Sequence, residues 1–273
     1  MGGLLKADLK KLSKSKCFIV CLVIAAVLGA AMAMLYNYIW EQSGKNIAMS
    51  YALMEYYGFS TDMLDEALSS LPKRNLWSYV NIFFSDSSIW ILAAICVCTY
   101  ISAEYSAGTF KNTIARGCKR MNIYFSKLIV AVIEIMSVAL VYVGAGSLTA
   151  LFFVDINSDF SAGNMILMVV TYILLMIATV SVYMMLSVIF RKTGIAVAVS
   201  IAAPLILATL LNLVTMANES LANLSRFLLM STYVEVESLF RSGEGYIAVI
   251  VALAYMVVST VIGCLIFSRS EVK

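Results

Sequence analysis

The sequence predicts an all-α integral membrane protein with six transmembrane helices and both termini in the cytoplasm. Three observations predict it. Of the 273 residues, 62% are hydrophobic and only 13% are charged, about half the charged share of an ordinary soluble domain. The apolar residues fall into blocks of about twenty or more, and a bilayer core of about 30 Å takes about 20 helical residues at ~1.5 Å each. The Lys and Arg residues crowd into alternate connections between those blocks, as the positive-inside rule requires.

The predicted spans are Cys17–Trp40, Asn81–Ser102, Tyr124–Phe152, Asn164–Phe190, Ile195–Met216 and Tyr246–Phe267. They are too long and too uniformly apolar for the alternating strands of a membrane barrel, whereas a helix satisfies its own backbone in lipid. The first block imitates a secretory signal, with "AMA" at 31–33 as a cleavage site, but its apolar run continues to Trp40 and is long enough to span. With the N-terminus inside, one face holds 14 of the 19 Lys and Arg, and Asp8, Glu104 and Glu271 are its only acids. Trp40, Trp77, Tyr79 and Tyr246 fall at outer span ends, where an aromatic belt belongs. No repeat, Pro-rich linker or second domain interrupts the chain, so 1–273 reads as a single transmembrane domain.

Several chemistries are excluded. The chain has no histidine, which removes a Ser-His nucleophile pair, a His-bearing zinc site and an imidazole relay. It has no G-x-x-x-x-G-K-[ST] loop and so no Walker-type nucleotide site of its own. Asp86, near the outer end of the second span, has no obvious acidic partner for intramembrane aspartyl chemistry. No cofactor, metal or catalytic residue is expected, and nothing points to nucleic acid. The six cysteines avoid the outer loops and read as small apolar fillers.

The long polar interruption "AEYSAGTFKNTIARGCKRMNIYFSKLI", residues 103–129, carries the most information. Within its loop, 104–123, Phe110, Ile114, Cys118 and Met121 recur at the spacing of one helical face, while Lys111, Asn112, Arg116, Lys119 and Arg120 fall largely elsewhere. Ser106 or Thr109 is placed to cap the start, and Gly108 permits a tight turn. Period alone leaves two readings open: an interfacial helix on anionic membrane lipid, or a docking helix for a cytosolic partner.

This stretch resembles the hallmark of type-2 ABC exporter permeases, in particular the six-span permeases of bacitracin- and lantibiotic-resistance transporters. The matching positions are Glu104, Tyr105, Gly108, Thr109, Lys111, Arg116, Gly117, Tyr124 and Lys127. The resemblance implies that 104–123 is a cytoplasmic coupling helix docking into a groove on a separate ATP-binding subunit. Phe110 and Ile114 are then its apolar anchors, Lys111 and Arg116 its rim, and Glu104, Gly108 and Thr109 the elements that fix its exit from span two. It further implies a bacterial plasma-membrane exporter that pairs with a second permease, identical or homologous, and expels an amphipathic cargo such as a peptide antibiotic or lantibiotic. Secondary transport without ATP, and a scaffold or signalling role, stay open as alternatives.

Four further features complete the reading. Residues 1–16 form an amphipathic helix with Leu4, Leu5, Leu9 and Leu12 on one side and Lys6, Lys10 and Lys14 on the other. Glu134 is the one acid deep within a span, where a charge costs about 3 kcal/mol on insertion scales; it is either a contact on a transport path or a carboxyl bonded to a neighbouring helix. Small residues form stripes at Ala25–Gly29–Ala33 and Gly194–Ala198–Ala202, which let helices approach closely, and Pro204 predicts a kink after the second. The outer segments 41–78 and 217–245 read as surface helices and, before the last span, a re-entrant or interface-lying helical hairpin.

Overall fold

A computed structural model describes residues 2–57, 75–154, 162–217 and 226–269. Among the described residues there are ten helices and no strand: α1 (Gly2–Ser13), α2 (Lys16–Tyr57), α3 (Leu76–Ser85), α4 (Ser87–Ser106), α5 (Thr109–Ala115), α6 (Arg120–Ala150), α7 (Ala162–Phe190), α8 (Thr193–Ala217), α9 (Leu229–Arg241) and α10 (Tyr246–Arg269). Six of them contain stretches long and apolar enough to cross a membrane: Lys16–Ile47, Ser87–Ser106, Arg120–Ala150, Gly163–Phe190, Thr193–Leu211 and Tyr246–Arg269. The architecture is that of a multi-pass membrane protein. The middle of segment 41–78, the first part of 217–245 and the last four residues lie outside the described residues.

The second predicted span requires a correction. Its N-terminal part is a separate helix, α3, and the chain turns at Asp86, whose extended backbone ends α3 and whose side chain caps α4 through the Ser88 amide at 3.3 Å. Asp86 also has a partner that the sequence did not disclose, because the Tyr142 hydroxyl on α6 donates to its carboxylate. Tyr79 needs correcting too: it is buried against Phe83 rather than placed in a surface belt.

α2 packs chiefly on α6, and α7 on α10. The Ala25–Gly29–Ala33 stripe makes the first contact possible, since all three residues are buried. A Cβ on Gly29 would sit 2.3 Å from the Tyr142 carbonyl oxygen. The second stripe behaves differently. Gly194, Ala198 and Ala202 are exposed, and α8 is the least covered of the spans, held mainly by α4 and α7. One thread of that hold is a 3.4 Å contact between Cys98 Sγ and Ser200 Oγ. α8 runs through Pro204 as one helix.

At the end of the bundle that holds α3, α9 packs chiefly on α7 and α10 and also touches α3. Tyr233 is fully enclosed, its ring 3.9 Å from that of Trp90 and its hydroxyl 3.4 Å from Thr179 Oγ1. Asn81 donates to Glu237 and accepts from the Tyr172 hydroxyl, while Arg241 reaches Glu237 at 2.7 Å. Each buried polar atom of this group thus finds a partner, which is the condition for enclosing it.

Candidate functional site

The opposite, cation-rich end gathers α1, α5, the end of α4 and the start of α6. α5 is short because glycine bounds it on both sides. Gly108 lies at φ +64° and Gly117 at φ +82°, in the left-handed region that a side chain disfavours by about 1–2 kcal/mol. The single helix expected across 104–123 is therefore three pieces: Glu104 lies in the last turn of α4, seven residues make α5, and Arg120 opens α6. Cys118 and Met121 do not share a helical face with Phe110 and Ile114, because the turn at Gly117 separates them.

A helix of seven residues has no stability of its own, and two fastenings hold it. The first is aromatic. Phe110 is only 2% exposed, its ring 4.7 Å from Tyr105 on α4 and 5.2 Å from Phe267 on α10. Phe267 lies in turn 6.1 Å from Tyr124 on α6. Phe110 therefore anchors α5 to its own bundle, and the expectation that it offers its ring to a partner is corrected. Ile114 is half-buried against the same core.

The second fastening is ionic. Glu104 is 2% exposed and receives the Lys11 ammonium from α1 at 2.5 Å and the Lys127 ammonium from α6 at 3.0 Å. The Thr109 hydroxyl, at the first residue of α5, lies 2.6 Å from the Glu104 carboxylate and 2.9 Å from its backbone carbonyl. Lys127 is itself 4% exposed and reaches Asp8 on α1 at 2.8 Å. Asp8 also accepts from the Ser126 hydroxyl at 3.3 Å, and the Lys127 ammonium lies 5.4 Å from the Tyr100 ring centroid and 6.0 Å from that of Phe110. Two carboxylates thus balance the buried Lys127 ammonium and the half-exposed Lys11 ammonium, tying α1, α4, α5 and α6 at one point. A buried group of charges persists only when it is paired and hydrogen-bonded throughout.

The remaining predicted residues divide cleanly. Lys111, Asn112, Ala115 and Arg116 face outward from α5 and are exposed. Arg120 bonds the Ser268 carbonyl at 2.8 Å, and the Arg191 guanidinium sits 5.9 Å from the Tyr105 ring, so α10 and the turn between α7 and α8 reach the same end. Glu134 lies apart, seven residues or about 10 Å further along α6 from Lys127. It is buried, and its Oε2 has no hydrogen-bond partner.

Sequence reasoning missed Asp8, Lys11 and Phe267, and placed Lys127 among the inner-face cations without its partners. The signal for Asp8 was present: it stands three residues after Leu5 and four before Leu12, on the leucine side of α1. Among the described residues no group of three or more His, Cys, Asp or Glu side chains is placed to hold a metal ion. α5 is thus tied to α10 through rings, and through Thr109 to the ionic group that joins α1 and α6.

A family model described as "Protein of unknown function (DUF2705)" matches residues 30–273. No curated protein matches the chain.

Proposed function

We propose that this chain, which belongs to the DUF2705 family, is the membrane-spanning subunit of an ATP-driven exporter whose force comes from ATP-binding subunits on separate chains. The observation that carries the reading is α5. A seven-residue helix is suspended between two glycine turns, fastened inward by Phe110 and Glu104, and presents Lys111, Asn112 and Arg116 outward. An interfacial lipid anchor needs its apolar side free to enter the membrane, and here that side is spent on the bundle. An outward polar and cationic face over a rigid base suits a protein partner, because rim charges set register while the base transmits displacement.

In this reading the cation-rich end is cytoplasmic, both termini lie there, and the host membrane is a bacterial plasma membrane. Closure of the ATP-binding subunits pushes α5, and the push travels to α10 through Phe267 and to α1 and α6 through the ionic cluster. The uncovered stripe on α8 serves a second permease subunit, identical or homologous, since close helix approach is the use of such a stripe in lipid. The cargo class is amphipathic, a peptide antibiotic or lantibiotic by resemblance.

Co-expression with an ATP-binding protein encoded beside it tests the reading. Affinity capture of this chain should retain that protein, and Lys111→Glu with Arg116→Glu should release it while the permease stays folded. Undiminished capture by the double variant removes α5 as the docking element. One observation favours secondary transport instead: the buried Glu134 carboxyl, whose Oε2 has no hydrogen-bond partner, is the kind of group that carries a proton. Solute uptake by the chain alone, driven by an imposed proton gradient and lost in Glu134→Gln, would establish that alternative.

A further inference from the structure

We propose that the cavity enclosed by α4, α7, α8, α9 and α10 is a binding site for one acyl chain of a membrane phospholipid. It has a volume of about 220 Å3, and its walls include Trp90, Tyr183, Pro204, Leu207, Met230 and Tyr255. This assignment is independent of ATP coupling.

Size comes first. An apolar cavity of about 150 Å3 stays dry and accepts a molecule as large as benzene. This one is larger. Water is a poor occupant, because a buried water needs two to four polar partners. Eight of the twelve lining residues have wholly apolar side chains, and the Thr179 hydroxyl already donates to the Leu175 carbonyl at 2.9 Å. A filler must therefore be apolar and must displace no hydrogen bond.

Position then selects the filler. Four of the five wall-forming helices carry membrane-spanning stretches, so the material at hand is hydrocarbon. The cavity also has an approach from that side. Leu207 lines it and is 47% exposed, on the helix that the bundle covers least, and Ala203 beside it is exposed as well. Leu205, Ile206 and Leu210 continue an apolar surface along α8. A chain entering there passes Pro204 and ends beneath the start of α9, where Leu228, Leu229 and Met230 close the space. A headgroup stays outside, since the described lining residues offer it no charge. A phospholipid tail meets each of these conditions, being linear, apolar and present at the opening.

The tail has a structural consequence. α8 is loosely held, and a chain lying between it and α4, α7 and α9 supplies packing that the polypeptide does not. The site therefore makes the seating of α8 depend on lipid.

The test uses the full chain reconstituted in phosphatidylethanolamine–phosphatidylglycerol vesicles. A trace of phosphatidylcholine carries a photoactivatable diazirine in its acyl chain, and adducts are mapped by peptide mass spectrometry. Trp90 and Tyr183 are 5% and 2% exposed, out of reach of lipid at the protein surface. They should be labelled about tenfold above Tyr142, which is equally buried but lines no part of the cavity, because an enclosed ligand meets the walls on most of its surface. Ala203→Phe fills the space and should lower labelling of both by about fivefold, leaving labelling of the exposed Leu140 unchanged. Met230→Trp fills it from the opposite wall and should do the same. A diazirine in the headgroup should label neither Trp90 nor Tyr183. Wild-type labelling of these two no higher than Tyr142, or labelling indifferent to both fillings, overturns the site. Labelling by a free diazirine fatty acid but not by the phospholipid overturns the phospholipid assignment.

Discussion

Replacing Lys127 with Met removes an ammonium and keeps most of the side-chain length. Asp8 and Glu104 then share only Lys11, which touches Glu104 alone and has 54% of its side chain exposed. Asp8 is left with the 3.3 Å hydrogen bond from Ser126. Removing one partner of a buried pair strands the other charge and costs about 3–5 kcal/mol. Lys11→Met removes a half-solvated contact and should cost no more than about 1 kcal/mol. Asp8→Asn combined with Lys127→Met should cost less than the two single losses added, with a coupling of about 0.5–3 kcal/mol. Equilibrium unfolding of the purified protein in mixed micelles, followed by the fluorescence of Trp40, Trp77 and Trp90, reads all four variants. If Lys127→Met unfolds within about 0.5 kcal/mol of the wild type, the cluster is no fastener. Such a cluster cannot transmit motion from α5 either.

Two glycines of α2 should respond with opposite signs. Gly29→Ala sets a methyl 2.3 Å from a carbonyl oxygen that cannot rotate away and should lose about 1–3 kcal/mol, whereas Gly44→Ala meets nothing within 4 Å and should gain about 0.5–1 kcal/mol in thermal unfolding. Gly108→Ala places a side chain at φ +64° and should lose about 1–2 kcal/mol by the same measurement, together with some capture of an ATP-binding partner. Phe110→Ala should cost about 3–5 kcal/mol, while Lys111→Ala should leave stability within about 0.5 kcal/mol and still weaken partner capture. Glu134→Leu removes an unpartnered buried carboxyl oxygen and should raise stability by about 1–3 kcal/mol, so a fall in melting temperature would reveal a partner for that group.

The spans were legible because their signal is cumulative: twenty apolar residues in a row have one cheap solution in lipid. Contacts between spans were legible only where residue size forces them. Ala25–Gly29–Ala33 marked a face of close helix approach without naming its neighbour, which is α6, whereas the same pattern at Gly194–Ala198–Ala202 is exposed. Period alone cannot say which neighbour a stripe meets. The break at Asp86 escaped because an apolar sequence continues through it, and only the cap on Ser88 and the bond from Tyr142 show the turn. Phe110 had the right period and the wrong destination, since an amphipathic face does not declare whether it packs inward or outward. Asp8, Glu104 and Lys127 were each visible as exceptions: two acids on a face that avoids acids, and a cation on the same α6 stripe as Tyr124, Ala131 and Glu134. Their pairing needed three helices to converge, and no sequence window contains that.

The two fastenings of α5 differ in what they resist. The rings of Tyr105, Phe110 and Phe267 interlock by shape, and close-packed contacts are stiff, so they hold α5 against translation toward or away from α10. The ionic group falls off slowly with distance and is tolerant of angle, so it lets α1 and α6 tilt while remaining tied to Glu104. A helix held by one stiff and one compliant attachment pivots about the stiff one. In the proposed reading, a force applied at the exposed Lys111 and Arg116 becomes rotation about the Phe110–Phe267 contact, and Glu104 carries that rotation to α6. Gly29 and Asp86 both meet Tyr142 on α6, so in the same reading α6 is the element that links the two ends of the bundle.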